Sequence, residues 1–408
     1  MLHIHFGAGR LGLGLIVPFF RTVSTTSIII NRAISGTNPT GTTILPPHRR
    51  NQLLRNSHNK TYVVQQHTNQ GARYEVAHYG GFFEYGEDGQ DIASIIRTIQ
   101  ACYVQPNDRV VVTASLISSD NYQPVLEALE HLSNLREQGA IGSLFLVACE
   151  NALNAPEIFL DPSLAPFISE RMRRHVTPVP ALVDRVCMGL EEGKERDQDA
   201  SYATVVVTTE EYGSLKLELS PATEELARYL DGSRVEFTRY VAIEKRIKNW
   251  LLNGSHWLLA LAAFEESHGD PELRLNEFLK HSAENRAFAD EVMGEMHEGI
   301  AVILRREPEF SHFVHDIDPD DYLAGASTAI LSRFLSNDDP MSRILARFQA
   351  PRPDKPTTVD AFKQRFADRV KAPIAAYTEK KGCPPPAATH SLRSLDHLIA
   401  SGTYINAA

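Results

Sequence analysis

Apolar positions in the first part of the chain fall into short runs separated by stretches of helical spacing. Leu2-His3-Ile4-His5-Phe6 and Thr26-Ser27-Ile28-Ile29-Ile30 predict strands, and Tyr62 to Gln66 and Tyr74 to Tyr79 predict two more around a polar turn at Asn69-Gln70-Gly71. Asp91 to Tyr103 and Asn121 to Leu135 carry helical spacing. Between and after them, Arg109 to Ala114 and Leu144 to Cys149 are apolar runs of the kind a parallel strand buried on both faces requires. Strands alternating with helices predict an α/β, doubly wound sheet. Gly36 to Asn59, rich in Thr, Pro, Asn and basic residues, shows no clear period and reads as a long excursion at the edge of that sheet.

Beyond this region, Glu170 to His175 predicts a short Arg-rich helix, and Tyr202 to Thr208 with Ser214 to Leu219 predict a hairpin-like pair around Glu210 to Gly213. From about Ser220 the pattern turns helical. Helices are expected at 221–230, 242–266, 276–305 (one long or two shorter), 320–335 with Pro319 in the first turn, and 358–376 after a Pro-rich break at 351–356, with Pro373 ending the last one early. Pro384 to Pro386 and a final helix at 392–399 read as a loosely attached tail. The expected organisation is an α/β domain over 1–220, a mostly helical domain over 221–380 and a tail over 381–408.

Composition narrows the function. With 408 residues, 43% hydrophobic and 23% charged, the chain has the make-up of a soluble globular protein of two or three domains. A net charge of −10 disfavours a nucleic-acid partner or an anionic membrane surface. The four cysteines have no metal-ligand spacing, so neither structural zinc nor a disulfide framework is expected. No apolar run reaches the roughly 18 residues of a membrane span, and the N-terminus makes a poor signal peptide, so a cytoplasmic location is expected.

Gly7-Ala8-Gly9-Arg10-Leu11-Gly12 follows the first strand and opens an apolar helix. That is the G-x-G-x-x-G pattern of a Rossmann-type dinucleotide site: a tight turn at Gly7, close approach of a pyrophosphate at Gly9, and close packing of helix on strand at Gly12. The second strand ends in Asn31-Arg32, where an acid for the ribose 2′-hydroxyl is absent. Arg32 can pair with a 2′-phosphate or stack on adenine, so NAD and NADP both remain open.

In the helix predicted over 242–266, an amine, an amide and an imidazole occur at Lys248, Asn253 and His256. At roughly 100° per residue, Asn253 lies about 140° and His256 about 80° around the axis from Lys248. Such groups can remove a proton, bind an oxyanion and hold a hydroxyl. Asn151, just past the strand ending at Cys149, lies where ligands of open α/β sheets bind. Asn154 reads as a helix cap, and Asp184-Arg185 as a surface pair.

These segments together resemble the polyol-specific long-chain dehydrogenases, the group of mannitol 2-dehydrogenase, mannitol-1-phosphate 5-dehydrogenase and the fructuronate and tagaturonate reductases. The resemblance lies in HFGAGRLGLG at 5–14, CEN at 149–151 with Asn154, VPALVDRV at 179–186, K-x4-N-x2-H at 248–256 and RFLSNDDPMSRILAR at 333–347. It implies metal-independent hydride transfer between NAD or NADP and a secondary alcohol of a polyol or sugar acid. It implies that Lys248 is the general acid/base, that Asn253 and Asn151 hold the alkoxide or carbonyl oxygen, that His256 orients the substrate oxygen, and that Asp184 and Arg333 contact more distant substrate groups. A lysine serves as a base only if its pKa falls from about 10.4 to about 7–8, which burial and neighbouring cations such as Lys245 would achieve. Two alternatives stand beside this. One is a sugar-phosphate substrate, which calls for basic residues such as Arg333 and Arg343 near His256; the other is a dinucleotide-binding sensor or structural protein without catalysis. A small-molecule substrate and a monomer or small homo-oligomer complete the expectations. Val179 in place of an aromatic, and Ala181-Leu182, depart from the group's pattern and bear on the substrate.

Overall fold

The structure, a computed structural model, describes residues 1–33, 45–68, 71–86, 89–116, 118–150, 154–185, 187–197, 200–345 and 363–401. The chain forms two compact units, Met1–Val241 and Ala242–Ala408.

In the first unit, six strands form the main sheet: β1 (Leu2–Phe6), β2 (Thr26–Arg32), β5 (Gly81–Tyr85), β6 (Val110–Ala114), β7 (Leu144–Ala148) and β8 (Val176–Val179), in the order β5-β2-β1-β6-β7-β8. Every neighbouring pair is parallel. This is the doubly wound order, with the crossover at β1, and it leaves β1, β6 and β7 buried at every position. The helices Ile92–Tyr103 and Gln123–Glu137 cover one face with Ile95, Ile99, Leu126, Leu129 and Leu132. Asp91 caps the first of them through the Ser94 amide.

Two smaller sheets were only partly legible. β3 (Thr61–Thr68) and β4 (Gly71–His78) pair antiparallel as the pattern predicts, but they join β10 (Cys187–Asp197) and β11 (Ala200–Glu210) in a sheet of order β10-β11-β3-β4. The expected hairpin of 202–208 with 214–219 does not form. β11 pairs with β10 and β3, whereas β12 (Ser214–Glu218) lies between β9 (Ala181–Asp184) and β13 (Val235–Thr238). The 36–59 excursion contains a helix, Pro47–Asn56, which Pro47 opens as a first-turn residue without an N–H to lose. Strand β13 and the helix Glu224–Tyr229 belong to the first unit, so the division falls at Val241 rather than near residue 220.

The second unit is helical. Val241–Ile247, a π-helical segment Lys248–Gly254 and Ser255–Glu266 run on as one rod, and its second half is buried almost all round. Leu275–His281 and Ala283–Arg306 are separate helices, because Ser282 leaves helical geometry and caps the second. Pro319–Ser336 starts from an Asp318 cap with its proline in the first turn. Pro373 does not end its helix. A π-helical segment Ala367–Lys371 precedes Ala372–Lys381, which runs through the proline. The expected loose tail is a docked helix, Pro386–Ser401, with Ala388, Ser391 and Ser394 buried and its first amides, at Ala387 and Ala388, bonded to Glu295 at 2.8 Å each. An anion at a helix start is favourable, which is why one carboxylate can hold the segment down.

Candidate active site

The glycine-rich turn takes the shape its sequence demands. Gly7 adopts φ +109°, and a Cβ there would stand 2.8 Å from the Ser115 carbonyl oxygen. At Gly12 a Cβ would stand 2.2 Å from Nε2 of His5 and 2.3 Å from the Gly7 carbonyl, so the helix is seated directly on the strand. Nothing lies within 4 Å of a Cβ built on Gly9, which leaves the turn open where a pyrophosphate would approach. The helix that follows contains Pro18, whose missing N–H strands the carbonyl of Gly14 four residues back. Nη1 of Arg185 donates to that oxygen at 2.8 Å, and its other nitrogens donate to the Glu210 carbonyl. Arg185 is therefore committed to backbone carbonyls rather than paired with Asp184 at the surface. Arg10 is exposed and donates to the Met188 carbonyl, and Leu11 is half-buried.

Asn31 is buried, and its Oδ1 accepts from the Ala8 amide at 3.0 Å. Its Nδ2 donates to Oδ1 of Asn51 at 2.8 Å, and Asn51 in turn donates to the Arg32 carbonyl and to Glu84. The Ala8 amide and the Asn31 amide group thus brace the turn. Asn51, from the helix inside the unpatterned stretch, was invisible to sequence reasoning; the clue was an asparagine among the buried positions of a short amphipathic helix. Arg32 is exposed at the end of β2. Asp184 ends β9, half-buried, opposite Ser214.

In the second unit, Lys248, Asn253 and His256 all lie on the central rod and all are half-buried. A π-helical turn bonds each carbonyl to the amide five residues on. Position 253 therefore stands one turn above 248, rather than the roughly 140° away that α-helical geometry gives. The amide of Asn253 is oriented: its Nδ2 donates to Oδ1 of Asn249 at 3.2 Å, and Asn249 Nδ2 donates to the Asp368 carbonyl at 3.0 Å. Asp368 belongs to the second π-helical segment. There Pro373 lacks the N–H that would have bonded the Arg369 carbonyl, and that oxygen approaches the rod at Gly254, 2.8 Å from where a Cβ would stand.

His256 stacks on Phe334, with centroids 4.9 Å apart and rings 17° from parallel. Its Nε2 lies 3.4 Å from Oδ2 of Asp339, a carboxylate 8% exposed that also takes Nε of Arg343 at 2.6 Å. Burial, followed by the charges of Arg343, Arg333, Arg369 and Arg365, pushes the His256 pKa down to about 3, so the ring is neutral. Arg333 and Arg343, the two basic residues singled out in the sequence, are thus joined by Arg365 and Arg369 in their influence on this ring. Asn151 lies outside the described residues; Asn154 sits at the N-cap of Ala155–Leu160, its amide bonded to Glu157 at 2.8 Å. Among the described residues, no cluster of three or more His, Cys, Asp or Glu is placed to hold a metal ion, and no helix is long and apolar enough to cross a membrane.

No family model matches the chain, and no curated protein matches it. Among solved structures the chain is similar to Pseudomonas fluorescens mannitol 2-dehydrogenase in a ternary complex with NAD and D-mannitol. That match has 14% identity and a TM-score of 0.55, over 96% of this chain and 77% of the other. It is also similar to a D-sorbitol dehydrogenase in substrate-free form, at 13% identity and a TM-score of 0.50, over 92% of this chain and 79% of the other. The chain shares the fold of these two dehydrogenases.

Proposed function

We propose that the chain is an NAD(P)-dependent oxidoreductase acting, without a metal, on a secondary alcohol of a polyol or sugar acid, or on the matching ketone. The observation that carries this reading is the π-helical turn, which stacks Lys248 and Asn253 one turn apart with the amide already oriented. The open turn at Gly7 to Gly12 suits a dinucleotide, whose nicotinamide would accept the hydride leaving the alcohol carbon. In oxidation the Lys248 amine takes the hydroxyl proton, and in reduction the ammonium returns it to the carbonyl oxygen. Asn253, together with Asn151, bonds the oxygen as charge develops on it, and the neutral ring of His256 orients that oxygen. Asp184 bonds a more distant hydroxyl. With Asn31 bonded inward and Arg32 exposed beyond it, a 2′-phosphate has a cation to meet, which favours NADP.

A second reading of the substrate is favoured by the arginines. The charges of Arg333, Arg343, Arg365 and Arg369 all act on His256, with Arg343 paired to Asp339, and this suits a substrate with an anionic group such as a phosphate ester.

The test is nicotinamide absorbance with both cofactors against polyols, uronates and their phosphates, using the wild type and Lys248→Ala. The variant should lose turnover and keep its dinucleotide affinity; turnover at the wild-type rate would overturn the role given to Lys248.

A further inference from the structure

Beneath the glycine-rich turn lies a polar chain in an otherwise apolar layer. β1 alternates Leu2, Ile4 and Phe6, which enter the core under one face of the sheet, with His3 and His5, which face the other way. Both imidazoles are fully buried, among Leu15, Phe19, Phe20 and Val111, and Phe20 stacks on His3 at 4.4 Å.

The directions of the hydrogen bonds follow from one end. The Gly7 carbonyl only accepts, so His5 Nε2 at 2.9 Å carries its proton. His5 Nδ1 is then unprotonated and accepts from the Thr113 hydroxyl at 2.7 Å. Thr113 Oγ1 accepts from His3 Nε2 at 2.8 Å, and His3 Nδ1 accepts from the Ser27 hydroxyl at 3.0 Å. Four bonds link β2, β1 and β6 to the first carbonyl of the turn, and the two accepted at Nδ1 require both rings to be neutral, in the Nε2–H tautomer. Burial holds both rings in that state, lowering the pKa of His3 and of His5.

An apolar residue at position 5 would fill this space at less desolvation cost. What the imidazole adds is a fixed donor on the Gly7 carbonyl. The Gly7 amide is held from the other side by the Ile30 carbonyl at 2.9 Å, and Ser115 Oγ lies 3.3 Å from the same His5 nitrogen. We infer that the chain Ser27–His3–Thr113–His5 sets the Gly7 carbonyl, and so the shape in which the glycine-rich turn offers its amides to a dinucleotide pyrophosphate. His5 and Thr113 are then positioning residues for cofactor binding. The inference rests on the reading that this turn binds a dinucleotide.

The experiment uses the full chain, NADH and NADPH titrated calorimetrically, and amide hydrogen exchange by mass spectrometry. Thr113→Val keeps the volume and removes the hydroxyl between the rings. It should weaken binding of the dinucleotide at least tenfold and raise exchange only in peptides covering residues 5–13. Thr113→Ser should restore affinity to within twofold. Ser27→Ala, which cuts the chain at its far end, should weaken binding two- to fivefold with the same local exchange, and it decides the matter if Thr113→Val does not fold. Wild-type affinity in a folded Thr113→Val or Ser27→Ala protein, or exchange raised evenly across the sheet, overturns the inference. A wild-type protein that binds neither dinucleotide overturns the cofactor reading itself.

Discussion

Asn253 donates from Nδ2 to Oδ1 of Asn249, four residues earlier on the same rod, at 3.2 Å, and this one bond fixes which way the Asn253 amide faces. Because Asn249 is itself held by the Asp368 carbonyl, the pair has little rotational freedom. Asn249→Leu should lower kcat about tenfold with KM changed less, since an oxyanion donor left unoriented keeps part of its effect. Asn249→Asp retains the accepting oxygen but sets a carboxylate oxygen against the Asp368 carbonyl, so it should recover only part of the loss. Asn253→Ala, which removes the donor outright, should cost about 10²–10³-fold in kcat. Steady-state kinetics on the three variants separates these outcomes.

The arginines around His256 distinguish a charged substrate from a neutral one. Arg333→Gln should raise KM for a phosphorylated or carboxylated substrate tenfold or more and leave KM for a neutral polyol within about twofold, since a charge-assisted bond to an anion contributes about 1.5–3 kcal/mol. Equal effects on both substrates would return the reading to neutral polyols.

Stability should depend on pH through His5. Its folded pKa is about 4 against an ordinary value of 6.5, with burial as the cause. Between those values the unfolded chain binds a proton that the folded one refuses, so stability falls as pH falls through this window. Full charging costs about 3 kcal/mol at 1.36 kcal/mol per unit, and His3 acts in the same direction. Urea midpoints should be flat from His5 above pH 7 and drop towards pH 4, with a shallower drop in His5→Asn.

Arg185 offers a check on the brace around the first helix. Arg185→Met keeps much of the apolar stem and strands the Gly14 and Glu210 carbonyls, so it should cost about 2–3 kcal/mol by denaturant unfolding.

The parts of this architecture that come from local chemistry were legible in the chain. A continuous apolar run makes β6 or β7, Asp91 caps a helix, and Gly7 to Gly12 can do little but turn. What escaped depends on partners far away in sequence. β5 is a five-residue strand whose place is set by pairing with β2, and the parallel pairing of β3 with β11 joins segments about 140 residues apart. The π-helical turn at Lys248 escaped for a different reason. Three candidate side chains placed at 3.6 residues per turn seem spread around an axis, and only the wider turn stacks two of them. Pro373 follows the same logic: a widened turn absorbs the missing donor, so the helix continues. Two histidines alternating with Leu, Ile and Phe in a buried strand are the sequence signal of a polar chain in the core.

The fit of Gly12 against His5 makes the two positions interdependent. A side chain at 12 meets two groups, the ring at 5 and the Gly7 carbonyl 2.3 Å away, so removing the ring relieves only one of the two clashes. Both positions are therefore intolerant of change, and a paired Gly12→Ala with His5→Ala would remain strained at the Gly7 carbonyl, which would also have lost its donor. The strand and the helix at the start of this chain are, in that sense, a single unit of inheritance.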